Sequence, residues 1–158
     1  MNADKEQRLA AKVANAFSNA EYPGDGRIVV SDTYGTEDLA AALSGKPWAH
    51  LSVTELRHTV EEIGLLTPEA YRYFLPAYLI ASLIHYDESD IVPDMVILLL
   101  TVPAESGKDI RFMERHEGLT IDQKRAIREF LEYLAEEHGR EFLHDEPGTA
   151  LSHYWKQF

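Results

Sequence analysis

The stretch Thr67–Val102, TPEAYRYFLPAYLIASLIHYDESDIVPDMVILLLTV, constrains this chain more than any other. From Ala70 to Tyr86 the only strongly polar residues are Arg72, Ser82 and His85, and from Ile91 to Val102 the only charge is Asp94. A helix that is apolar almost all round has no face to turn to water, so other elements must enclose it. Thr67-Pro68-Glu69 supplies an N-cap, a proline at the first helical position and an acid in the first turn, which together open a helix. Pro76 lies inside that helix. It removes a main-chain donor and crowds the carbonyl of Arg72, which predicts a kink or a short break near Phe74–Pro76. After the acidic break Asp87-Glu88-Ser89-Asp90, Pro93 opens a second apolar helix, capped by Asp90 or a neighbour. Neither half reaches the roughly 18 uninterrupted apolar residues of a membrane-spanning helix.

The other segments supply amphipathic helices to cover this centre. Leu9, Val13, Ala16, Phe17 and Ala20 form one stripe of a helix over residues 4–20. Tyr22-Pro23-Gly24-Asp25-Gly26 ends it, with Pro before Gly in the order a type II turn favours. Ile28-Val29-Val30 leaves room for one very short strand pair. Thr36 is the expected cap of a helix over Glu37–Leu43, with Gly45 as its stop. Ser52-Val53-Thr54-Glu55 is a capping box that opens a helix with the stripe Val53, Leu56, Val60 and Ile63. Pro103 and Gly107 bracket a loop, and Ile110, Phe112 and Met113 suggest a short docked turn. Thr120-Ile121-Asp122-Gln123 is a second capping box, followed by Ile127, Phe130, Leu131 and Leu134 at helical spacing. Pro147 begins a last helix carrying Leu151, Tyr154 and Trp155. The expectation is an all-α single domain over residues 1–158, its ends (1–3 and 156–158) frayed. Six or seven helices surround a buried, Pro-kinked central helix. Leu79, Leu83, Leu98, Phe130 and Leu134 should be buried.

Three motifs carry a resemblance. They are Tyr22-Pro23-Gly24-Asp25 with Ile28-Val29 behind it, Gly45-Lys46-Pro47-Trp48, and Tyr71-Arg72-Tyr73-Phe74-Leu75-Pro76-Ala77-Tyr78-Leu79. The third is followed by a helix with Gln123, Ala126-Ile127 and Phe130-Leu131. In this order the chain resembles a family of small bacterial proteins of uncharacterised function, over about Phe17 to Trp155. The resemblance implies no catalytic or binding residues.

Charge and chemistry narrow the function classes. The formal charge is −12, from 15 basic and 27 acidic residues. Such a surface repels phosphate backbones, so no nucleic-acid partner is expected. It suits solubility and the steering of a basic partner. There is no cysteine, which excludes disulfides and thiolate chemistry and suits a reducing cytoplasm. The N-terminal residues are charged and amphipathic, without an apolar run of signal-peptide type, so a cytoplasmic protein with no membrane partner is expected.

No cofactor motif is present, and no serine lies in a G-x-S-x-G elbow, so no catalytic residue is assigned. Of the seven histidines, His138 and His144 could join Asp145 and His153 in a metal site if the last two helices form a hairpin. Tyr22-Pro23-Gly24-Asp25-Gly26 lacks the glycine spacing of a nucleotide fingerprint and reads as a turn. Tyr71, Tyr73, Phe74 and Tyr78 read as core, with Arg72 and Tyr73 able to reach a surface groove. The acids cluster twice. Asp87, Glu88, Asp90 and Asp94 form one group. Glu129, Glu132, Glu136 and Glu137 lead the other, on a helix face opposite the apolar stripe. These eight are the candidate residues for binding a basic protein, as an immunity or inhibitor protein would. The alternative is a small enzyme or a ligand- or metal-binding protein that uses the His, Asp and Glu residues of the C-terminal part.

Overall fold

The computed structural model describes residues 2–30, 35–103 and 109–158. Eight α-helices carry the chain: α1 (Asn2–Ala16), α2 (Thr36–Leu43), α3 (Val53–Thr59), α4 (Pro68–Ile84), α5 (Val92–Leu100), α6 (Asp109–His116), α7 (Ile121–His138) and α8 (Glu146–His153). Short 3-10 turns lie at Asp25–Arg27, Trp48–His50, Val60–Leu65, Gly139–Glu141 and Trp155–Gln157. The class is all-α, and the count is eight among the described residues rather than six or seven. The additional helix is α6, where only a docked turn was expected. Its buried positions are Phe112 and His116, four apart on one face, and a histidine does not register as an apolar position. The loop expected between Pro103 and Gly107 falls largely outside the described residues.

Central to the packing is α4. Twelve of its seventeen residues are buried, from Ala70 to Leu83. It lies against α1, α3, α5, α6 and the Trp48–His50 turn. Five helices close into a cycle of neighbours: α4 packs on α1, α1 on α7, α7 on α8, α8 on α5, and α5 back on α4. The apolar stripes of the amphipathic members turn inward, and the buried side chains form one hydrophobic cluster.

Local signals in the sequence account for the N-termini of α3, α4 and α7. Thr67 caps α4, accepting from the Ala70 N–H at 3.1 Å, while its hydroxyl donates to the Arg27 carbonyl at 2.6 Å. Both capping boxes form: Glu55 N–H to Ser52 Oγ at 3.1 Å with Ser52 N–H to Glu55 Oε2 at 3.3 Å, and Gln123 N–H to Thr120 Oγ1 at 3.1 Å with Thr120 N–H to Gln123 Oε1 at 2.9 Å. The cap of α2 is Gly35 rather than Thr36. Gly35 enters the helix at φ +87°, a conformation glycine adopts without steric cost, and Thr36 is buried in the first turn. Nor does an acid cap α5, whose N-cap is Ile91 with no side-chain bond. The Pro23-Gly24 pair does not make a type II turn, because Gly24 has φ +102° but an extended ψ of 146°. Ile28–Val30 contributes one antiparallel bridge, Val29 to Leu66, and no strand forms among the described residues.

Two expectations about the centre are corrected. α4 runs unbroken from Pro68 to Ile84, so of the kink or short break expected near Phe74–Pro76 the break does not occur. Pro76 is itself buried, and neighbours packed along both halves hold the helix together across the missing bond. Leu98 is not core: 63% of its surface is exposed. Along α5 the buried positions are Val92, Pro93, Val96, Ile97 and Leu100, which leaves Asp94 and Leu98, four apart, on an outward stripe.

Where α4 meets α6 and the chain end, a histidine is enclosed by aromatic rings. His116 has no exposed surface. Its ring centroid is 5.1 Å from Tyr71, 4.3 Å from Phe112 and 5.2 Å from Trp155. Nε2 and the Tyr71 hydroxyl are 2.8 Å apart. Nδ1 makes no hydrogen bond of ordinary geometry. Burial lowers the His116 pKa to about 3, a shift that the Phe112 carbonyl opposes and the charge of Arg115 reinforces. The imidazole is therefore neutral in the fold.

Two outcomes follow from this packing. Leu79 is fully buried, so Leu79→Ala should destabilise the fold by about 2–5 kcal/mol, whereas Leu98→Ala should change it by less than about 0.5 kcal/mol. Urea denaturation of both variants reads the contrast. The second outcome concerns acid. Unfolded chains protonate His116 below pH 6.5 while the native state holds it neutral to about pH 3, so the unfolded state binds more protons in that window. Stability from this group is complete above pH 6.5 and falls toward pH 3, by at most about 1.4 kcal/mol per pH unit. His116→Gln should flatten that dependence relative to wild type, measured by urea midpoints from pH 7 to pH 4.

Candidate functional site

The three motifs that carry the family resemblance meet at one place. The Tyr22 hydroxyl hydrogen-bonds Asp25 and accepts the Gly45 N–H at 2.7 Å. The Tyr22 ring stands edge-on to Tyr73 at 5.5 Å, and the Tyr73 hydroxyl accepts the Trp48 N–H at 3.4 Å. The rest of the tyrosine-rich motif is engaged elsewhere in the core. Tyr78 shares a 2.6 Å bond with Thr59 Oγ1, and Arg72 donates to the Glu114 carbonyl at 2.8 Å, near the C-terminal end of α6. The motifs tie loops to α4, and their polar atoms are occupied in doing so.

The acids of α7 are occupied as well. Lys5 of α1 lies 2.8 Å from Glu136 and 3.5 Å from Glu137. Lys12 pairs with Glu129, and Arg128 reaches Glu129 at 3.6 Å and Glu132 at 3.5 Å. Arg8 lines the same groove. Of the acids expected on an open face, Glu129, Glu136 and Glu137 form one side of an ion-paired seam between α1 and α7, and Glu132 pairs with Arg128 on α7 itself. The stripe of α1 was legible; that its bases would align with the acids of α7 was not, because that depends on helix pairing.

The other acidic group has a different setting. Asp87, Glu88, Asp90 and Asp94 are all exposed. Asp90 has a positive φ of 58° and lies 3.7 Å from Arg57, and Glu88 approaches His85 at 3.6 Å. Asp94 has no basic partner among the described residues. Partial burial raises its carboxyl above the usual range. The carboxylates of Glu146, Asp90 and Glu141 add to that rise, while a bond to its own backbone N–H opposes it.

Beside Asp94 a groove of about 410 Å³ runs between α5 and the segment 142–149. Its floor is Met95, Ile97, Leu98 and Phe142, and its polar edge includes Asp94, His144 and Glu146. No Lys or Arg lines it among the described residues. Leu143, next along the chain, is 90% exposed. Both flanking helices are entered through an aspartate in the left-handed region, Asp90 before α5 and Asp145 before α8, a conformation that aspartate tolerates better than most residues. Met95, Leu98, Phe142 and Leu143 were not among the candidates. Val96-Ile97-Leu98-Leu99-Leu100 is apolar throughout, so periodicity could not tell its outward residue from its inward ones. Phe142-Leu143, two large apolar residues within Glu141–Glu146, were the available signal.

The C-terminal histidines do not gather. His138 stacks on Tyr86, ring centroids 3.7 Å apart, and its Nδ1 lies 3.3 Å from Glu141. The Tyr86 hydroxyl, then His138, lower the Glu141 pKa. His144 and His153 are exposed. No group of three or more His, Cys, Asp or Glu is placed to hold a metal ion among the described residues, so His138, His144, Asp145 and His153 form no common centre. No helix among those residues is long and apolar enough to cross a membrane.

An all-helical protein closed around one apolar helix, with an acid-edged groove on its surface, is the class these features define. The chain belongs to the family of unknown function DUF6714, whose model matches residues 6–158. No curated protein and no solved structure matches it.

The seam makes a prediction of its own. Reversing Glu132, Glu136 and Glu137 to lysine sets like charges against Lys5 and Arg128. The melting temperature should fall by roughly 2–4 °C at low ionic strength and recover in about 1 M salt, where the Debye length is about 3 Å. Differential scanning calorimetry at both salt concentrations measures it.

Proposed function

We propose that this protein is an interaction module that recognises a basic protein partner. Its sharpest form is an immunity or inhibitor protein that occludes a basic enzyme in the cytoplasm. The observation that carries this reading is the pair Asp94 and Glu146, two carboxylates on one groove edge that no Lys or Arg lines among the described residues. Carboxylates crowded together without a cation repel one another, and a partner's Lys or Arg relieves that repulsion on binding. The formal charge of −12 adds a long-range field of the same sign, which raises the association rate of a basic partner more than the lifetime of the complex.

The reading also moves the steering surface. Lys5 and Lys12 of α1 and Arg128 of α7 pair with the α7 acids and reduce their net field, so the α5 group carries more of it. Co-purification from the native host with mass spectrometry should return a basic protein, encoded beside this chain if the immunity form is right. Its association rate, followed by stopped flow, should fall about tenfold on passing from low to physiological salt. Asp94→Lys should slow association at low salt, while Glu132→Gln with Glu136→Gln should not. Absence of any basic partner, or association insensitive to salt, would remove the reading.

A further inference from the structure

We propose that the groove between α5 and residues 142–149 is where the partner docks, and that its occupant is a basic segment anchored by large apolar side chains. The inference rests on the interaction reading above and adds a place and a recognition chemistry to it. Interfaces concentrate binding energy where an apolar anchor enters a pocket ringed by polar groups. Leu98 lies 63% exposed on a helix whose Val96, Ile97 and Leu100 are core. With Met95, Ile97 and Phe142 it makes an apolar floor, in a groove of about 410 Å³ that falls within the common range of binding pockets, about 300–1,000 Å³. An amphipathic segment laid in such a groove spends its apolar side chains on the floor and sets its polar flank along the edge.

Charge selects the flank. The edge carries Asp94 and Glu146, with Asp90 and Glu141 near enough to act on Asp94. A lysine or arginine beside the anchor meets two or more carboxylates that no described base neutralises. The same edge rejects other occupants. Nucleic acid and anionic lipid headgroups bring phosphate to carboxylate, and a second copy of this chain would bring another −12 and the same acidic edge. By contrast, the α1–α7 groove, lined by Lys5, Arg8, Lys12 and Arg128 as well as acids, offers no net attraction to a basic segment.

The test uses the full chain, labelled with ¹⁵N, and three synthetic peptides of about twelve residues: a Lys/Leu amphipathic helix, the same peptide with Glu for Lys, and the same with Ser for Leu. The Lys/Leu peptide should shift amides within 94–101 and 142–149. Leu98→Ser should weaken it at least about tenfold, and Asp94→Asn with Glu146→Gln by a similar factor. Both variants change exposed or edge side chains, and unchanged circular dichroism and melting temperature confirm that they fold. The Glu/Leu and Lys/Ser peptides should not bind at the groove. Shifts centred elsewhere, equal binding by the Lys/Ser peptide, or wild-type binding by Leu98→Ser would overturn the proposal. The interaction reading fails separately: an authentic basic partner that binds Leu98→Ser at full strength sinks the groove and leaves the module standing, whereas absence of any basic partner sinks the module.

Discussion

A helix with twelve of seventeen residues buried leaves its polar tips nowhere to bond except to other parts of the same chain. This condition governs the arrangement around α4. Tyr71 bonds His116 of α6, Tyr78 bonds Thr59 at the end of α3, and Tyr73 accepts from the turn at Trp48. Each bond fixes one neighbour at one height along α4. An unpaired buried hydroxyl is destabilising by about 1–3 kcal/mol, so a sliding neighbour would lose a defined bond as well as packing. Apolar burial supplies the driving force, and the tyrosines supply register. Trp155 extends the scheme to the last turn: its Nε1–H donates to the Leu100 carbonyl at 2.7 Å, satisfying a group that the end of α5 leaves open.

Much of this was legible in the sequence, and the parts that were not share a cause. The central helix, the caps at Thr67, Ser52 and Thr120, and the stripes of α1 and α7 all follow from local rules. α6 was missed because its inward face is Phe112 and His116, and a histidine kept neutral by burial packs as an apolar residue. Leu98 was misplaced because a fully apolar run carries no phase. α4 stays continuous at Pro76 because packing along both halves offsets a penalty that local rules weigh alone. In each case tertiary context decided what a residue's type alone does not.

The candidate site shows the same limit in electrostatic form. Counting acids along the chain singled out residues 129–146, where seven acids accompany only Arg140. Sequence position says nothing about which bases lie opposite. α1 packs on α7 and brings Lys5 and Lys12 across to Glu129, Glu136 and Glu137, so the helical half of the denser cluster is the neutralised part. The sparser cluster, at Asp94, gains rather than loses negative neighbours when α8 packs on α5 and brings Glu146 near.

These two settings separate roles that one composition cannot. Exposed ion pairs such as Lys5–Glu136 are weak and screened by salt. They line α1 beside its core face, where Val13 and the adjoining Phe17 are buried. Carboxylates without cations do the reverse: they raise the free energy of the unbound surface and lower it when a cation arrives. Placed beside exposed Leu98, that unrelieved charge gives the α5 surface two reasons to be covered, one apolar and one electrostatic. The two act over different distances. The field extends about 8 Å at physiological ionic strength, and the apolar contact acts only on touching. Under the interaction proposed above, a basic partner would be drawn first by Asp94 and its neighbours and held afterwards by Leu98, Met95 and Phe142, so charge would govern how fast the surface is found and apolar contact how long it stays covered.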